Sequence, residues 1–305
     1  MSLSKSVNVK SEMCPLAVVM NISIAFVCSI LICEEFLIST TRTRKPLIAA
    51  SSYLNSAPLI WSFQHGSRKE EVDLIEAVPA RCGELLAENL VEAALVPAIE
   101  YQRIPGLVVI PRVCVGSREK VRSVNLVSKL DELKDIRRVA LDESSRTSAT
   151  LVKIIFREFL GFEPEWVSAA PDLTRMLAEN DAALIIGDPG MTFSREGFKI
   201  FDMATLWRSY TGHGFVFAMW MIGPNASAEA RAIDFVAGCQ EGLELTQEII
   251  DFYQPLLGLS RDELQTYLGE NLSFSLDEEL RAGLDLYYGL AHKHNLIPAV
   301  KPLNL

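Results

Sequence analysis

From residue 46 onward, the hydrophobic and polar positions follow two alternating patterns, one typical of strands and one typical of helices. Short apolar runs predict strands, and these runs lie at 47–50, 72–78, 93–96, 108–115, 121–127, 139–141, 166–167, 182–186 and 215–222. Between them, apolar residues three or four positions apart predict helices, as with Leu151, Ile154 and Ile155. From residue 228 the chain is almost entirely helical in pattern. This order predicts an α/β fold with helices on both faces of its sheets.

The length of the chain and one charged segment indicate two lobes. A chain of 305 residues with 49% apolar content can bury more than one core. The charged stretch 131–135 is interpreted as the crossing into an inserted lobe, and strand 215–222 as the return. The predicted lobe 1 therefore comprises 46–130 and 223–305, and lobe 2 comprises 131–222. Two lobes joined by two crossings form a hinged cleft that can enclose a small molecule and exclude water.

The first 45 residues differ from the rest of the chain. Residues 15–33 are almost continuously apolar, with Lys5 and Lys10 before them and Arg42 and Arg44 after them. This length is at the short end for a membrane span and long for a signal core, and no small-residue cleavage site follows. Three interpretations remain: a membrane anchor, an atypical export signal, or an N-terminal extension outside the functional protein.

Charge and cysteine spacing argue against several classes of partner. The net charge is −10 and the chain has no basic run, which makes a nucleic acid an unsuitable partner. The six cysteines, at 14, 28, 33, 82, 114 and 239, include no C-x-x-C pair. His292 and His294 lie two positions apart on a predicted helix and therefore diverge. The spacing predicts neither a disulfide framework nor a metal site.

Three junctions between a strand and the following helix carry polar groups. The first junction contains Ser51, Ser52, Tyr53 and Asn55. The second is D-E-S-S-R-T-S at 142–148, and the third is G-D-P-G at 187–190. Unpaired backbone N–H groups and the helix dipole converge at such junctions and favour anions. An ordinary capped loop explains any single junction equally well, but two junctions facing each other across a cleft indicate a binding site.

The second junction has the groups expected of a carboxylate or phosphate site. Its candidate residues are Ser145, Arg146, Thr147 and Ser148. Arg146 could instead pair with a neighbouring acid such as Asp142 or Glu143. Asp188, in the third junction, is a candidate general acid or base, or the cap of a tight turn. The sequence has no nucleophile elbow, phosphate-binding lysine loop or dinucleotide fingerprint, so its residues alone indicate a binder of a small carboxylated molecule.

Six short motifs, taken in order, resemble the menaquinone-biosynthesis enzymes of the futalosine route. They are S-Y-L-N-S-A-P-L (52–59), P-A-I-E-Y (97–101), V-R-S-V (121–124), S-R-T-S (145–148), I-G-D-P (186–189) and T-G-H-G-F-V-F-A-M-W (211–220). The chain is most similar to the chorismate dehydratases of that family, from about Pro46 to the C-terminus. Family members usually begin just before the Y-L-N motif and are cytoplasmic. The resemblance therefore implies a cytoplasmic protein in which residues 1–45 are an extension.

The resemblance implies the two-lobed fold of the type II periplasmic binding proteins and a reaction with no cofactor and no metal. The implied substrate is chorismate, a dicarboxylate that loses water to give 3-[(1-carboxyvinyl)oxy]benzoate. Asn55 matches the asparagine of the Y-L-N motif and is the implied catalytic residue. The implied substrate-binding residues are Ser52, Tyr53, Ser123, Ser145, Arg146, Thr147, Ser148 and Asp188. Membrane contact is expected only if residues 15–33 are retained.

Two alternatives from other classes stay open. A sister enzyme of the same route forms 1,4-dihydroxy-6-naphthoate at a histidine-dependent site, and His213 is the one histidine here near a shared motif. A non-catalytic solute-binding protein is the other alternative, and it would suit a chain exported through its apolar N-terminal segment.

Overall fold

A computed structural model describes residues 44–303, and the apolar segment 15–33 with most of the predicted extension lies outside them. The strands are β1 Leu47–Ala50, β2 Asp73–Glu76, β3 Ala93–Pro97, β4 Val108–Ser117, β5 Val124–Ser128, β6 Arg138–Asp142, β7 Glu165–Ala169, β8 Ala182–Ile186, β9 Lys199–Asp202 and β10 Phe215–Ile222. The α-helices are α1 Ala57–Gln64, α2 Pro79–Ala87, α3 Glu100–Arg103, α4 Arg146–Ile154, α5 Leu173–Glu179, α6 Pro189–Thr192, α7 Met203–Thr211, α8 Ala228–Arg231, α9 Phe235–Glu244, α10 Thr246–Leu257, α11 Arg261–Thr266 and α12 Glu278–Lys293. Short 3-10 turns lie at Leu54–Ser56 and Leu133–Asp135, and π-helical turns extend α4 and α11 over Ile155–Leu160 and Tyr267–Asn271.

Within the described residues, the strands form two five-stranded sheets with the same topology. The order is β2-β1-β3-β10-β4 in lobe 1 and β7-β6-β8-β5-β9 in lobe 2. In each sheet the first three strands are parallel, and the fourth runs antiparallel to both of its neighbours. That antiparallel strand is the one that follows a crossing from the other lobe. Strand β1 therefore corresponds to β6, and β3 corresponds to β8.

The predicted α/β fold with two lobes is confirmed, but the chain changes lobes earlier than predicted on both occasions. It enters lobe 2 between Ser117 and Val124 and returns between Asp202 and Phe215, not at 131 and 222. The charged stretch 131–135 is a connection between β5 and β6 inside lobe 2. The difference arises because an apolar run indicates a strand without indicating which sheet the strand joins.

The helices after β10 cover lobe 1, and α12 also contacts the second lobe. Helix α9 packs on α1, and α12 packs on β10 and on α4. On α12, the Tyr287 hydroxyl donates to the Thr147 carbonyl at 3.1 Å. Strands β3 and β8 are buried along their whole length, as expected of strands covered on both faces. In the part of the chain that the structure describes, no helix is long and apolar enough to cross a membrane.

Candidate active site between the lobes

A cavity lies where the carboxyl ends of β1 and β3 face those of β6 and β8. Its volume is about 50 Å³. Lobe 1 lines it with Ser51, Asn55, Ser56, Pro79, Leu95, Pro97, Val115, Phe217 and Ala218. Lobe 2 lines it with Val124, Ser145, Arg146, Thr147, Ser148 and Ile186. The first and second predicted junctions therefore share one cavity, with apolar walls between their polar groups.

The lobe 1 side of the cavity is the loop between β1 and α1. Asn55 lies in a 3-10 turn and is half-buried, and its side-chain Oδ1 accepts from the Ser56 hydroxyl at 3.2 Å. The buried Ser51 Oγ accepts from the Tyr53 N–H at 3.2 Å, which fixes the start of the loop. Pro58 lies in the first turn of α1. A backbone N–H at that position has no acceptor within the helix, so the proline causes no loss of a hydrogen bond.

The lobe 2 side is the start of α4. Among the described contacts, the Ser145 side chain makes no capping bond to this helix. The first N–H groups of a helix have no acceptor within it, and the helix dipole adds positive potential at the same end. Thr147 Oγ1 accepts from the Ile99 N–H of lobe 1 at 3.2 Å. The start of α4 can therefore receive an anion, and it is held against lobe 1 by one of its own hydroxyls.

Arg146 forms ion pairs with lobe 1 and not with the neighbouring acids considered from the sequence. Its Nη2 lies 2.8 Å from Glu84 Oε1, and its Nη1 lies 3.2 Å from Glu100 Oε1. Asp142 instead accepts from the Ser144 hydroxyl at 2.6 Å and from the Ile186 N–H at 3.3 Å. Burial raises the pKa of Asp142, and the bonds from Ser144 oppose that shift.

The third junction contacts the first one beside the cavity. Asp188 Oδ1 accepts from the Leu54 N–H at 2.9 Å. Burial raises the pKa of Asp188 to about 6, and the bond from Leu54 opposes that shift. Gly187 has a φ of +65°, and a Cβ there would lie 2.4 Å from Cδ2 of the Tyr53 ring. Tyr53 therefore packs on the bare backbone of lobe 2, and burial raises the pKa of its hydroxyl.

Some of the predicted site residues do not line the cavity. Ser52 is exposed, and it lines a separate groove with Asp188 and Tyr253, whose hydroxyl donates to the Ser52 carbonyl at 2.7 Å. Ser123 is fully buried, and its Oγ accepts from the Tyr267 hydroxyl at 2.7 Å. His213, half-buried in the loop after α7, is not among the described lining residues either.

The structure thus brings five of the predicted residues together and leaves four beside the cavity. The five are Asn55, Ser145, Arg146, Thr147 and Ser148, and the four are Ser52, Tyr53, Ser123 and Asp188. Sequence reasoning assigned no role to Glu100, whose side chain is only 2% exposed, or to Phe217 in the cavity wall. Both residues lie in motifs that carried the resemblance, and this was the one signal in the sequence that pointed to them.

The fold and the cavity define a two-lobed protein of the periplasmic-binding-protein type. Protein AF1704 from Archaeoglobus fulgidus superposes with a TM-score of 0.70 at 18% identity, over 84% of this chain and 100% of that one. The periplasmic aliphatic sulphonate binding protein SsuA from Escherichia coli gives a TM-score of 0.57 at 18% identity, over 86% of this chain and 94% of that one. At such identities these likenesses establish the fold alone.

The sequence comparisons are more specific. The family model described as menaquinone biosynthesis matches residues 46–293, and the chain belongs to that family. Chorismate dehydratase from Thermus thermophilus is 30% identical over 265 residues, which cover 80% of this chain and 94% of that protein. The matched region begins at the residue where the strand and helix pattern begins.

Proposed function

We propose that this protein is a chorismate dehydratase, which converts chorismate to 3-[(1-carboxyvinyl)oxy]benzoate and water. The observation that carries the proposal is that Asn55 and the hydroxyl-bearing start of α4 line one cavity from opposite lobes. Membership of the menaquinone-biosynthesis family and the similarity to the Thermus thermophilus enzyme support it.

The lining of the cavity suits a ring that carries carboxylates. Its volume of about 50 Å³ is below the range of about 300–1,000 Å³ that is usual for small-molecule sites, so the lobes would have to move apart to admit the ring. One carboxylate would accept from the hydroxyls of Ser145 and Ser148 and from first-turn N–H groups of α4. The ring would lie between the apolar walls, against Pro97 and Phe217. This arrangement fixes the orientation of the substrate, which lowers the entropic part of the barrier.

The reaction makes modest demands on the protein. A ring carbon loses its hydrogen as a proton, the neighbouring carbon loses its hydroxyl with the C–O bonding electrons, and the two leave as one water. The electrons of the broken C–H bond form the third double bond of the ring, and the aromatic product is favoured. Asn55 is assigned the catalytic role, in which its amide N–H group donates to charge that develops as these bonds break.

The proton acceptor is assigned to a carboxylate of the substrate. Of the side chains that line the cavity in the described residues, Arg146 is the one that carries a charge, and a guanidinium does not accept protons. Asn55 cannot accept the proton either, because a side-chain amide is not a base near neutral pH. Tyr53, Ser123 and Asp188 are assigned to holding the loops around the cavity and not to contact with the substrate.

The test is direct. Chorismate is added to the purified protein, the ultraviolet absorbance is followed, and the product is identified by mass spectrometry against the same buffer without protein. An aromatic product lighter than chorismate by one water supports the proposal. A solute-binding protein would give a thermal shift with chorismate and no product. Turnover of the cyclic futalosine-derived intermediate, with no turnover of chorismate, would instead indicate the naphthoate-forming enzyme.

A further inference from the structure

Five charged residues form an alternating row across the contact between the lobes. Arg81 pairs with Glu84 at 2.9 Å, and Glu84 pairs with Arg146 at 2.8 Å. Arg146 pairs with Glu100 at 3.2 Å, and Glu100 lies 3.7 Å from Arg103. Arg146 is the member that belongs to lobe 2. We call the group of Arg146, Glu84 and Glu100 the Glu100 bridge.

The two acids of the Glu100 bridge differ in burial. The Glu84 side chain is 41% exposed, whereas the Glu100 side chain is 2% exposed. Exposed ion pairs contribute little to stability because water screens them, and buried ones interact more strongly. Glu100 therefore carries most of the attraction that draws Arg146 toward lobe 1. Arg103, at 37% exposure, leaves Glu100 with a cation nearby when Arg146 moves away, so the contact can open and re-form.

Two backbone contacts next to this bridge depend on the same approach of the lobes. The Ala80 N–H donates to the Ser144 carbonyl at 3.1 Å. The Ile99 N–H donates to Thr147 Oγ1 at 3.2 Å. Each of these amides belongs to lobe 1 and bonds to the junction that starts α4. Separation of the lobes would leave both amides open to water.

We propose that Glu100 is a positioning residue, which holds Arg146 and thereby keeps the hydroxyl-lined start of α4 over the cavity. Glu100 is not among the described residues that line the cavity, so it acts through Arg146. The effect of Glu100 on KM rests on the proposed function, because the groups that Glu100 positions are those assigned to the substrate carboxylate. The effect of Glu100 on the contact between the lobes does not depend on that function.

The experiment compares Glu100→Gln with Glu71→Gln in the full chain. Glutamine keeps the shape of Glu100 but removes the charge that attracts Arg146. Glu71 pairs with Arg68 three positions away inside lobe 1, so its variant makes the same chemical change without touching the lobe contact. Hydrogen exchange followed by mass spectrometry reports the protection of peptides that contain Ala80 and Ile99. We expect faster exchange of both in Glu100→Gln and no change in Glu71→Gln.

The kinetic arm separates positioning from a merely structural role. If the lobe-closed population of Glu100→Gln falls to about one tenth, KM for chorismate rises about tenfold while kcat stays within about twofold. KM rises because part of the free energy of substrate binding is then used to close the lobes. Glu84→Gln, in the exposed arm of the bridge, should change both readouts in the same direction but less, and it keeps the test available if Glu100→Gln does not fold.

Two results would overturn the proposal. One is unchanged protection at Ala80 and Ile99 in a folded Glu100→Gln protein. The other is tighter binding of 3-[(1-carboxyvinyl)oxy]benzoate by that variant in calorimetry, because a guanidinium freed from Glu100 would then serve the ligand directly. Should chorismate fail as a substrate, the exchange measurement still decides whether Glu100 holds the lobes, so failure of the function and failure of this inference are distinguishable.

Discussion

Two acids occupy equivalent places in the two lobes and hold the opposite lobe in different ways. Glu100 follows β3, and Asp188 follows the corresponding strand β8. Glu100 bonds to Arg146 at the start of α4, whereas Asp188 accepts from the Leu54 N–H in the loop that carries Asn55. We call the contact between Asp188 and Leu54 the Asp188 bridge. The shared topology thus places one bridge on each side of the cavity.

The partners of the two acids determine how each bridge responds to charge. Glu100 faces a guanidinium, so its negative charge attracts the opposite lobe. Asp188 has an amide donor, and burial raises its pKa to about 6. The charge on Asp188 therefore destabilises the folded protein, whereas the charge on Glu100 attracts Arg146 and stabilises the contact between the lobes. The same change of acid to amide should consequently have opposite effects at the two sites.

The largest expected effect concerns what each bridge positions. The Asp188 bridge holds the loop of Asn55, and the Glu100 bridge holds the helix start that contains Ser148. We expect Asn55→Ala to lower kcat for chorismate about 10²- to 10³-fold. Ser148→Ala should instead raise KM about tenfold, through loss of a hydrogen bond to a charged group. Initial rates over a range of chorismate concentrations check both values. Full turnover by Asn55→Ala would remove Asn55 from the catalytic role.

A second prediction compares the glycines beside the two acids. Gly187 precedes Asp188 at φ +65°, and a Cβ there would lie 2.4 Å from the Tyr53 ring. We expect Gly187→Ala to lower the free energy of unfolding by about 2–4 kcal/mol through backbone strain and overlap. Gly83 faces Glu100, and a Cβ there would lie 3.2 Å from Glu100 Cγ. Gly83→Ala should change the free energy by less than about 1 kcal/mol, because a better helix former offsets the tighter contact.

Urea unfolding of both variants at neutral pH tests this comparison. Equal losses in the free energy of unfolding for the two variants would show that Tyr53 moves readily to accommodate a Cβ at position 187. The Asp188 bridge would then be no more rigid than the Glu100 bridge.

These two bridges also mark the limit of what the sequence predicts. The apolar runs identify the strands because burial on both faces requires them. Polar residues at the first two junctions identify the cavity because strand ends meet at one edge. By contrast, Arg146 pairs with Glu84 and Glu100, which lie 62 and 46 residues away from it in the sequence. Asp188 accepts from the Leu54 N–H across a separation of 134 residues. Such partners depend on which strands adjoin, and no local periodicity encodes that.

The same limit explains why four predicted residues lie beside the cavity. Neighbouring residues of one loop point in different directions, so Ser51 lines the cavity while Ser52 faces the outer groove. Ser123 lies at the first crossing between lobes, where the Tyr267 hydroxyl reaches it from a helix 144 residues further along the chain. A motif marks such a loop, but the backbone conformation decides which of its side chains enter the cavity.

A third prediction compares the two acids through the pH dependence of stability. The raised pKa of Asp188 means that the folded state binds a proton more tightly than the unfolded state between about pH 4 and pH 6. The stability contributed by this group is therefore full below about pH 4 and is lost as pH rises through about 6. Asp188→Asn keeps an acceptor for the Leu54 N–H and removes the carboxyl group whose ionisation destabilises the folded protein. We expect the variant to exceed the parent by about 1–3 kcal/mol at pH 8 and to match it near pH 4.

Urea unfolding of parent and variant across this pH range gives the difference directly, since other titrating groups are common to both proteins. Glu100→Gln is the matched comparison, and it should be less stable than the parent at pH 8. A destabilised Asp188→Asn at pH 8 would mean that the carboxylate charge serves the Asp188 bridge as it does the Glu100 bridge.

The smallest expected effect tests the division between the cavity and the outer groove with two adjacent serines. Ser51 is buried and its Oγ accepts from the Tyr53 N–H, whereas Ser52 is exposed and contributes its carbonyl to Tyr253. We expect Ser52→Ala to change kcat/KM for chorismate less than about twofold and stability by less than about 0.5 kcal/mol. Ser51→Ala, which leaves the part-buried Tyr53 N–H without its acceptor, should lower stability by about 1–2 kcal/mol. If Ser52→Ala were the more damaging change, the substrate would have to reach the groove beside Asp188, and the Asp188 bridge would belong to the binding site itself.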